Sequence, residues 1–215
     1  MKILIVADVE SKALWDFFDP ERVEGVDLIL SAGDLNPRYL EFLVTMINKP
    51  LLYIHGNHDS EYDKRPPEGC VCIEDKIVDF HGLRILGEGG SLKYRPSSHM
   101  YTEREMQMRL MKADVKAALS GGFDIFLTHS PCRGYRDMED MPHRGYECFN
   151  SFLQRWKPAY MIHGHVHRQY QHDFKRAVDH PSGTRIINGC DWYILEIGED
   201  ELKHRRRLLP VSRID

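Results

Sequence analysis

The clearest indication of the fold comes from residues 27–34, DLILSAGD, an apolar run that ends in a glycine and an aspartate. The same design recurs at residues 2–8, KILIVAD, and at residues 50–57, PLLYIHGN. Unbroken apolar runs of this length are typical of strands covered on both faces, as in a parallel sheet flanked by helices. The sequence therefore predicts three buried strands in the N-terminal part of the chain.

A helix is predicted between the second and third of these runs. Its apolar residues Leu40, Leu43, Val44 and Ile47 recur at the i, i+3, i+4, i+7 spacing of one helix face. Pro37 stands where the first turn would begin, a position that proline favours. The predicted order of this half is strand, helix, strand, helix, strand.

Two later runs, residues 123–129 and 159–164, have the same apolar character, and a helix is predicted over residues 102–119. Further strand-like segments without intervening helices are expected to extend the layers as hairpins. These segments are residues 71–80, 84–87, 169–174, 185–188 and 192–197. Because no repeat, low-complexity tract or linker interrupts the chain, a single domain over residues 1–215 is expected.

Composition argues against several classes of protein. The 215 residues carry a net charge of -4, so no basic field points to nucleic acid or to an anionic membrane. The apolar runs are too short to span a bilayer or to form a signal peptide. Five cysteines, an odd number without zinc-finger spacing, favour reduced thiols. A cytoplasmic protein is expected, with no membrane partner and with nucleic acid possible but not indicated.

Polar side chains capable of binding metal or phosphate follow the predicted buried strands, and several are among the twelve histidines. These side chains are Asp8, Glu10, Asp34, Asn57, His58, Asp59, His129, His165 and His167. Because the carboxyl ends of neighbouring parallel strands open on one crevice, we expect these side chains to lie close together.

Such a set is too large for one structural zinc ion, which takes four ligands. Its mixture of oxygen and nitrogen donors suits two divalent cations about 3.5–4 Å apart that share a carboxylate. Asp34 has the short side chain that bridging favours. Gly33, Gly56 and Gly164 each precede a candidate ligand, where a missing Cβ permits a sharp turn and a close backbone approach.

The ordered set resembles the calcineurin-like metallophosphoesterase family, whose pattern is D-x-H, G-D, G-N-H-D/E, H and G-H-x-H. The corresponding segments run from Asp8 to His167 in this chain. The stretch His143-Arg144-Gly145-Tyr146, followed by the later His-Gly-His, is similar to the small bacterial phosphodiesterase-like branch. The resemblance implies an α/β fold, a four-layer α/β/β/α sandwich of two mixed sheets flanked by helices.

The resemblance also implies two divalent metal ions, with manganese expected and magnesium, iron, zinc or nickel compatible. The implied ligands are Asp8 and His167 for the first ion, Asn57, His129 and His165 for the second, and Asp34 as the bridge. His58 would be the non-ligand imidazole near the leaving-group oxygen, acting as a general acid or stabilising charge. Asp59 would orient His58.

Position 10 departs from the family pattern, because Glu10 stands where the family has histidine. A carboxylate there would ligate the first ion, directly or through water, and shift the preference toward manganese or magnesium. Alternatively, its longer stem misses the ion and leaves the first site weak or empty. The sequence leaves both interpretations open.

The predicted activity is phosphoester hydrolysis, with phosphodiesters favoured, by a hydroxide that bridges the two metal ions. The expected substrate is a small phosphodiester or a nucleotide. His143 and Arg144, on the loop after the His129 strand, are candidate phosphate contacts. The alternative is a non-catalytic metal- or nucleotide-binding scaffold with a degenerate first-metal site. Oligomeric state is left open.

The other histidines receive no ligand role. His55 and His163 are expected to pack beside the site. The histidines expected to be solvated or in loops are His81, His99, His172, His180 and His204. The basic run at residues 203–207 is expected to decorate a terminal strand or hairpin.

Overall fold

The computed structural model describes residues 1–170, 173–198 and 211–214. Its α-helices are α1 (Pro37–Ile47), α2 (Glu103–Ser120) and α3 (Glu147–Trp156), and 3-10 helices cover Pro20–Val23, Met141–His143 and Arg168–Tyr170. The strands are β1 (Lys2–Ala7), β2 (Leu28–Ser31), β3 (Leu51–Tyr53), β4 (Val71–Cys72), β5 (Lys76–Phe80), β6 (Leu83–Glu88), β7 (Ser91–Leu92), β8 (Met100–Tyr101), β9 (Ile125–Thr128), β10 (Tyr160–His163), β11 (Ala177–Asp179), β12 (Arg185–Asn188), β13 (Asp191–Glu196) and β14 (Ser212–Ile214). None of the helices in the described ranges is long and apolar enough to cross a membrane.

Two mixed sheets form the centre of the fold. The first has the order β13-β1-β2-β3-β4, with β13 antiparallel to β1 and the other pairs parallel. The second has the order β11-β12-β10-β9-β6-β5-β14. In the second sheet β12, β10, β9 and β6 run parallel, while β11 and β5 are antiparallel to β12 and β6.

Strand β1 shows why its sequence is apolar throughout. Ile3 and Ile5 belong to the core between the sheets, which also contains Ile125 of β9. Leu4 and Val6 belong instead to the cluster on the outer side of the first sheet. Because successive side chains of a strand point to opposite faces, burial of both faces requires an unbroken apolar run.

Helices cover the outer faces of both sheets. Met106 of α2 and Phe149 of α3 share a buried cluster with Phe126 of β9 on the second sheet. Tyr39 and Leu40 of α1 cover the first sheet in the same way. The layers therefore run helix, sheet, sheet, helix, and the prediction of an α/β/β/α sandwich is confirmed.

The predicted order of the N-terminal elements is wrong at one crossover. Between β1 and β2 the described chain forms turns and the 3-10 helix Pro20–Val23 in place of an α-helix. Asp19 is extended and caps this helix by accepting the amide of Glu21. Because a residue before proline disfavours the helical conformation, an α-helix does not continue through Asp19 into Pro20.

Two predicted strands also differ from the structure. The segment 71–80 is divided into β4 and β5 at Asp75, whose φ of 56° is left-handed and interrupts an extended strand. The break lets the chain leave the first sheet and enter the second. In the segment 169–174, the described residues 169–170 belong to a 3-10 helix, and residues 171–172 lie outside the described ranges.

The five predicted buried strands are divided between the two sheets, yet their carboxyl ends meet. Within the first sheet the Asp8 amide donates to the Gly33 carbonyl at 3.2 Å, and beside the second the Gly164 amide donates to the His129 carbonyl at 3.0 Å. The His165 amide then donates to Asp8 Oδ1 at 2.7 Å and joins the two edges. The polar residues that follow the strands are thereby brought to one place.

A buried ion pair supports the strand that leads to this place. Arg84 Nε in β6 lies 3.4 Å from Asp124 Oδ2, and the two side chains are 3% and 2% exposed. The guanidinium also donates to the carbonyl oxygens of Ser120 and Gly121 at the end of α2. Removal of the guanidinium would leave a buried carboxylate without its countercharge.

We expect Arg84→Leu to lower the free energy of unfolding by about 3–5 kcal/mol, measured by urea denaturation. Arg155→Leu is the control, because Arg155 pairs with Asp114 while 65% of its side chain is exposed. For an exposed pair the expected loss is about 0–1 kcal/mol. Equal losses in the two variants would contradict the importance of the buried pair.

Candidate metal centre

Three candidate ligands adopt a backbone conformation that L-residues rarely use. Asp8, Asp34 and His165 have φ values of 65°, 56° and 68°. Each lies at a sharp turn just after β1, β2 or β10. Left-handed non-glycine residues cost free energy and concentrate at functional sites, where the surrounding structure holds them. The turns direct these side chains over the common edge of the two sheets.

The glycines before the candidate ligands are required by close packing, as the sequence predicts. A Cβ on Gly56 would lie 2.1 Å from Asp34 Oδ1, and one on Gly164 would lie 2.7 Å from Asp8 Oδ2. Gly33 has a φ of 92°, and a Cβ there would lie 2.3 Å from the Gly56 nitrogen. Any larger residue at these positions would displace a carboxylate or the backbone that carries it.

Four polar side chains converge at this edge. Around His129 Nε2 lie Asn57 Oδ1 at 3.0 Å, His165 Nδ1 at 3.1 Å and Asp34 Oδ2 at 3.3 Å. Ligand atoms of Asp34, His129 and His165 all lie within 4.8 Å of one another. The structure therefore brings together the set that the resemblance assigns to the second ion and to the bridge.

The hydrogen bonds on the far sides of the two imidazoles assign their tautomers. His129 Nδ1 donates to the Ala32 carbonyl at 2.7 Å, and His165 Nε2 donates to the Pro142 carbonyl. Their other nitrogens, which face the cluster, therefore carry lone pairs when the rings are neutral. Lone pairs of nitrogen, amide oxygen and carboxylate oxygen repel one another unless a cation lies among them. This donor set fits a divalent metal ion.

The close packing of these polar groups also shifts the pKa values of His129, Asp34 and His165 when no cation is bound. Burial would lower the pKa of His129, but the Asp34 carboxylate outweighs it and raises the pKa to about 9. Burial would raise the pKa of Asp34, but His129 holds it well below its usual range. Burial and then the charge of His129 lower the pKa of His165 to about 3, so this ring stays neutral. A proton on His129 thus takes the place of the cation.

Asp8 supplies an orphaned acceptor beside this cluster. Its Oδ1 accepts the His165 amide, while Oδ2 is buried without a hydrogen-bond partner in the part of the chain that the structure describes. Burial raises the pKa of Asp8 to about 7, although the charge of His129 opposes the rise. A buried carboxylate oxygen without a partner is costly, and a cation would satisfy it.

Asp59 and His58 differ in their surroundings. Asp59 Oδ2 accepts the amides of Gly56 at 2.7 Å and Asp34 at 2.8 Å, so it holds together the two turns that carry the ligands. Among the described contacts, the His58 imidazole donates no hydrogen bond to Asp59, so Asp59 acts on His58 through the backbone of the turn. His58 donates its own amide to Asp34 Oδ1 at 2.7 Å, and its side chain is exposed at the rim.

The candidates for the first ion are less tightly grouped. Glu10 Oε1 accepts the amide of Asn36, the residue that caps α1, at 2.8 Å. His167 is half-buried, with its ring centre 5.1 Å from that of Tyr170. Glu10 and His167 line a groove of about 730 Å³ together with Lys12, Arg168, Gln169, Cys190 and Asp191. Within the described ranges, Asp8, Glu10 and His167 do not form a compact group like that of the second ion.

The two candidate phosphate contacts occupy different positions. The His143 ring centre lies 5.5 Å from that of His165, and its Nδ1 lies 2.6 Å from Asp140 Oδ2. Arg144 is half-buried and donates to the Glu139 carbonyl at 3.1 Å. The structure thus brings His143 beside the cluster and gives Arg144 a contact within its own loop.

Some contributors to the centre carry no sequence signal. The carbonyl oxygens of Ala32 and Pro142 orient the two imidazoles. Every residue has a carbonyl, so only the path of the chain marks these two. The hydrogen bond from the Asn36 amide to Glu10 is equally unmarked, because it depends on where α1 begins.

Six of the seven remaining histidines divide into four cases. His163 is buried, with Nδ1 2.9 Å from the Gly164 carbonyl, and packs beside the site as predicted. His81 is exposed. His99 and His180 lie in loops, as predicted, but their rings are buried and not solvated. His172, His204 and the basic run at residues 203–207 lie outside the described residues.

Comparison with known proteins identifies the family. A profile described as calcineurin-like phosphoesterase matches residues 1–169. The chain belongs to this family of metal-dependent phosphoesterases.

Two relatives from Caenorhabditis elegans extend the comparison. UPF0046 protein T07D4.2 is 24% identical over 218 residues, which cover 80% of this chain and 52% of the relative. UPF0046 protein K07C11.7 is 24% identical over 174 residues, which cover 67% of this chain and 57% of the relative. The chain thus spans little more than half the length of these curated relatives.

Two solved structures share the fold. One superposes with a TM-score of 0.66 and 13% identity, over 90% of this chain and 94% of that chain. The other, TT1561 of Thermus thermophilus, superposes with a TM-score of 0.60 and 15% identity, over 88% and 89% of the two chains. At these identities the likeness establishes the fold alone.

We expect Gly56→Ala to weaken Mn²⁺ binding by about 10–100-fold, because the new methyl group displaces the Asp34 carboxylate. Isothermal titration of the metal-free protein measures the affinity. Gly82→Ala is the control, since Gly82 also lies at a turn (φ +94°) but has open space around its Cβ position. Equal affinity in the two folded variants would show that the Gly56–Asp34 contact does not shape the centre.

Proposed function

We propose that this chain is a metal-dependent phosphodiesterase that acts on a small phosphodiester or a nucleotide. The observation that carries the proposal is the convergence of nitrogen and oxygen atoms of Asp34, Asn57, His129 and His165. A divalent cation would replace the proton that His129 carries among these atoms. Membership of a phosphoesterase family supplies the reaction class.

The residues of the centre would hold two divalent ions. Asn57, His129 and His165 would bind one ion, Asp34 would be shared, and Asp8 and His167 would bind the other. The buried Oδ2 of Asp8 supports its part in this set. Divalent cations bound there supply positive charge to the phosphoryl oxygens and lower the pKa of a coordinated water. The carboxylates among the donors favour manganese or magnesium.

His58 is the proposed general acid. Its backbone is anchored to Asp34 Oδ1, while its imidazole is exposed beside the centre. From this position the ring would donate a proton to the leaving-group oxygen of a substrate bound at the metal ligands. Asp59 would act as a positioning residue, because it holds the amides of Asp34 and Gly56 and thereby the turn that carries His58.

The groove beside Glu10 and His167 supports a diester substrate. A diester carries a substituent on each side of phosphorus, and a groove of about 730 Å³ has room for a nucleoside-sized group. Lys12 and Arg168 on its walls are cations that would contact an anionic substrate. His143, next to His165, would contact the substrate from the other loop, whereas Arg144 would first have to leave Glu139.

The second candidate function is a non-catalytic metal- or nucleotide-binding scaffold. The observation that favours it is the hydrogen bond between Glu10 Oε1 and the Asn36 amide, which draws this carboxylate toward the start of α1. A first site that lacks a ligand from position 10 would bind its ion weakly. The two functions differ in turnover and in metal content.

We expect the Mn²⁺-loaded protein to hydrolyse bis-p-nitrophenyl phosphate, measured by release of p-nitrophenolate. His58→Ala should lower kcat by about 10²–10⁴-fold and leave the metal content unchanged, because the substitution removes the general acid but no metal ligand. His81→Ala, at an exposed turn, should keep the activity of the unmodified protein. If none of Mn, Mg, Ni, Zn and Fe supports turnover, the proposed phosphodiesterase activity is refuted. If His58→Ala loses metal, the proposed role of His58 as a general acid that does not bind metal is refuted.

We expect Glu10→His to strengthen the binding of the first ion, because imidazole replaces a carboxylate whose oxygen is engaged by Asn36. Elemental analysis at limiting Mn²⁺ measures the change as metal bound per chain. Glu10→Gln tests the charge alone and should bind no more metal than the unmodified protein. If the unmodified protein binds two ions per chain and turns over substrate, the enzyme is favoured. If turnover appears only in Glu10→His, the non-catalytic scaffold is favoured.

A further inference from the structure

A second group of side chains capable of binding a metal shares no residue with the candidate metal centre. Ligand atoms of His55, Glu74 and His99, here called the His55 cluster, lie within 4.8 Å of one another. The rings of His55 and His99 are stacked, with centres 4.4 Å apart and planes 6° from parallel. His55 follows β3, Glu74 lies between β4 and β5, and His99 precedes β8. The cluster thus joins three segments that are distant in sequence.

His99 is the unexplained member of this cluster. It is 7% exposed, and both of its ring nitrogens are buried without a hydrogen bond in the described part of the chain. The carboxylate of Asp63 approaches Nε2 to 3.3 Å without hydrogen-bond geometry. A buried polar ring without partners is costly, and native structures rarely retain one without a ligand or water.

The charges around the cluster also leave room for a cation. Arg109 lies 2.9 Å from Glu74 Oε1, 3.1 Å from Asp75 and 3.1 Å from Glu88. One guanidinium therefore faces three carboxylates. The other oxygen of Glu74, Oε2, accepts the amide of His55 at 3.1 Å. It also lies 2.5 Å from His55 Nδ1.

We propose that His55, Glu74 and His99 bind a zinc ion. Two imidazoles and one carboxylate, with a fourth position for water, are a common zinc donor set. Bonds of about 2.0–2.2 Å in a tetrahedral site place ligand atoms about 3.4 Å apart, closer than the 4.8 Å within which these atoms now lie. The His99 ring would also have to turn out of its stack on His55, so that a nitrogen lone pair faces the ion. Binding would release the proton that His55 Nδ1 shares with Glu74 Oε2, because the metal takes its place.

The consequence would be structural. Gly90 donates its amide to the His55 carbonyl at 2.8 Å, and a Cβ on Gly89 would lie 2.6 Å from Glu74 Oε2. The loop after β6 is therefore already packed against the cluster. A zinc ion would fasten this loop, through His99, to the end of β3 from which the turn of Asn57 begins. The proposal does not depend on the hydrolytic activity.

The test counts zinc in the full chain. Metal-free protein is equilibrated with Zn²⁺, freed of unbound metal by gel filtration and measured by elemental analysis. His99→Ala and His99→Gln should each carry one zinc ion fewer per chain than the unmodified protein. His81→Ala is the matched histidine control and should lose none. His99→Gln retains a polar side chain of similar size, so it keeps the test valid if His99→Ala fails to fold.

His165→Ala separates this site from the candidate metal centre. Zn²⁺ should still raise the Tm of His165→Ala, but should raise it less or not at all once His99→Gln is added to that variant. A folded His99→Gln protein that binds as much zinc as the unmodified chain would overturn the proposal. The same holds if zinc shifts the Tm equally with and without His99. Neither result depends on turnover of a phosphodiester.

Discussion

The hydrogen bond from the His165 amide to Asp8 Oδ1 joins the edges of two sheets, and the candidate metal centre depends on it. Asp8 ends a strand of the first sheet, and His165 follows a strand of the second. A charged acceptor strengthens this bond, and its burial limits competition from water. It holds the left-handed turns of both residues in place while leaving Asp8 Oδ2 without a partner among the described residues. The same contact thus joins the two sheets and positions Asp8 Oδ2 to accept a cation.

The centre built on this contact gathers electron-rich atoms that need a proton or a metal ion between them. The rings of His129 and His165 are held near Asn57 and Asp34 by bonds from their far nitrogens to backbone carbonyls, so they have little freedom to turn away. The free energy released by a cation in such a preorganised site contributes directly to the stability of the loaded fold. The apolar core between the two sheets offsets the cost of the arrangement.

Much of the fold was predictable because a strand that is buried on both faces has an unbroken run of apolar residues. The runs that became β1, β2, β3, β9 and β10 were recognisable, and so were α1 and α2. Their division between two sheets was not, since a buried strand has the same composition in either sheet. The split of residues 71–80 depended on one left-handed residue, Asp75, at the point where the chain changes sheets. Local composition does not encode such a change.

The chemical identity of the candidate ligands and the glycines beside them were determined by the sequence alone. Residue type sets which atoms can bind a metal, and a missing Cβ is a property of the residue itself. Tertiary structure decided which of these side chains meet, how Ala32 and Pro142 orient the imidazoles, and that Asn36 engages Glu10. It also buried His99 beside His55 and Glu74. These contacts join residues far apart in the chain through backbone groups and loop paths, for which residue type carries no information.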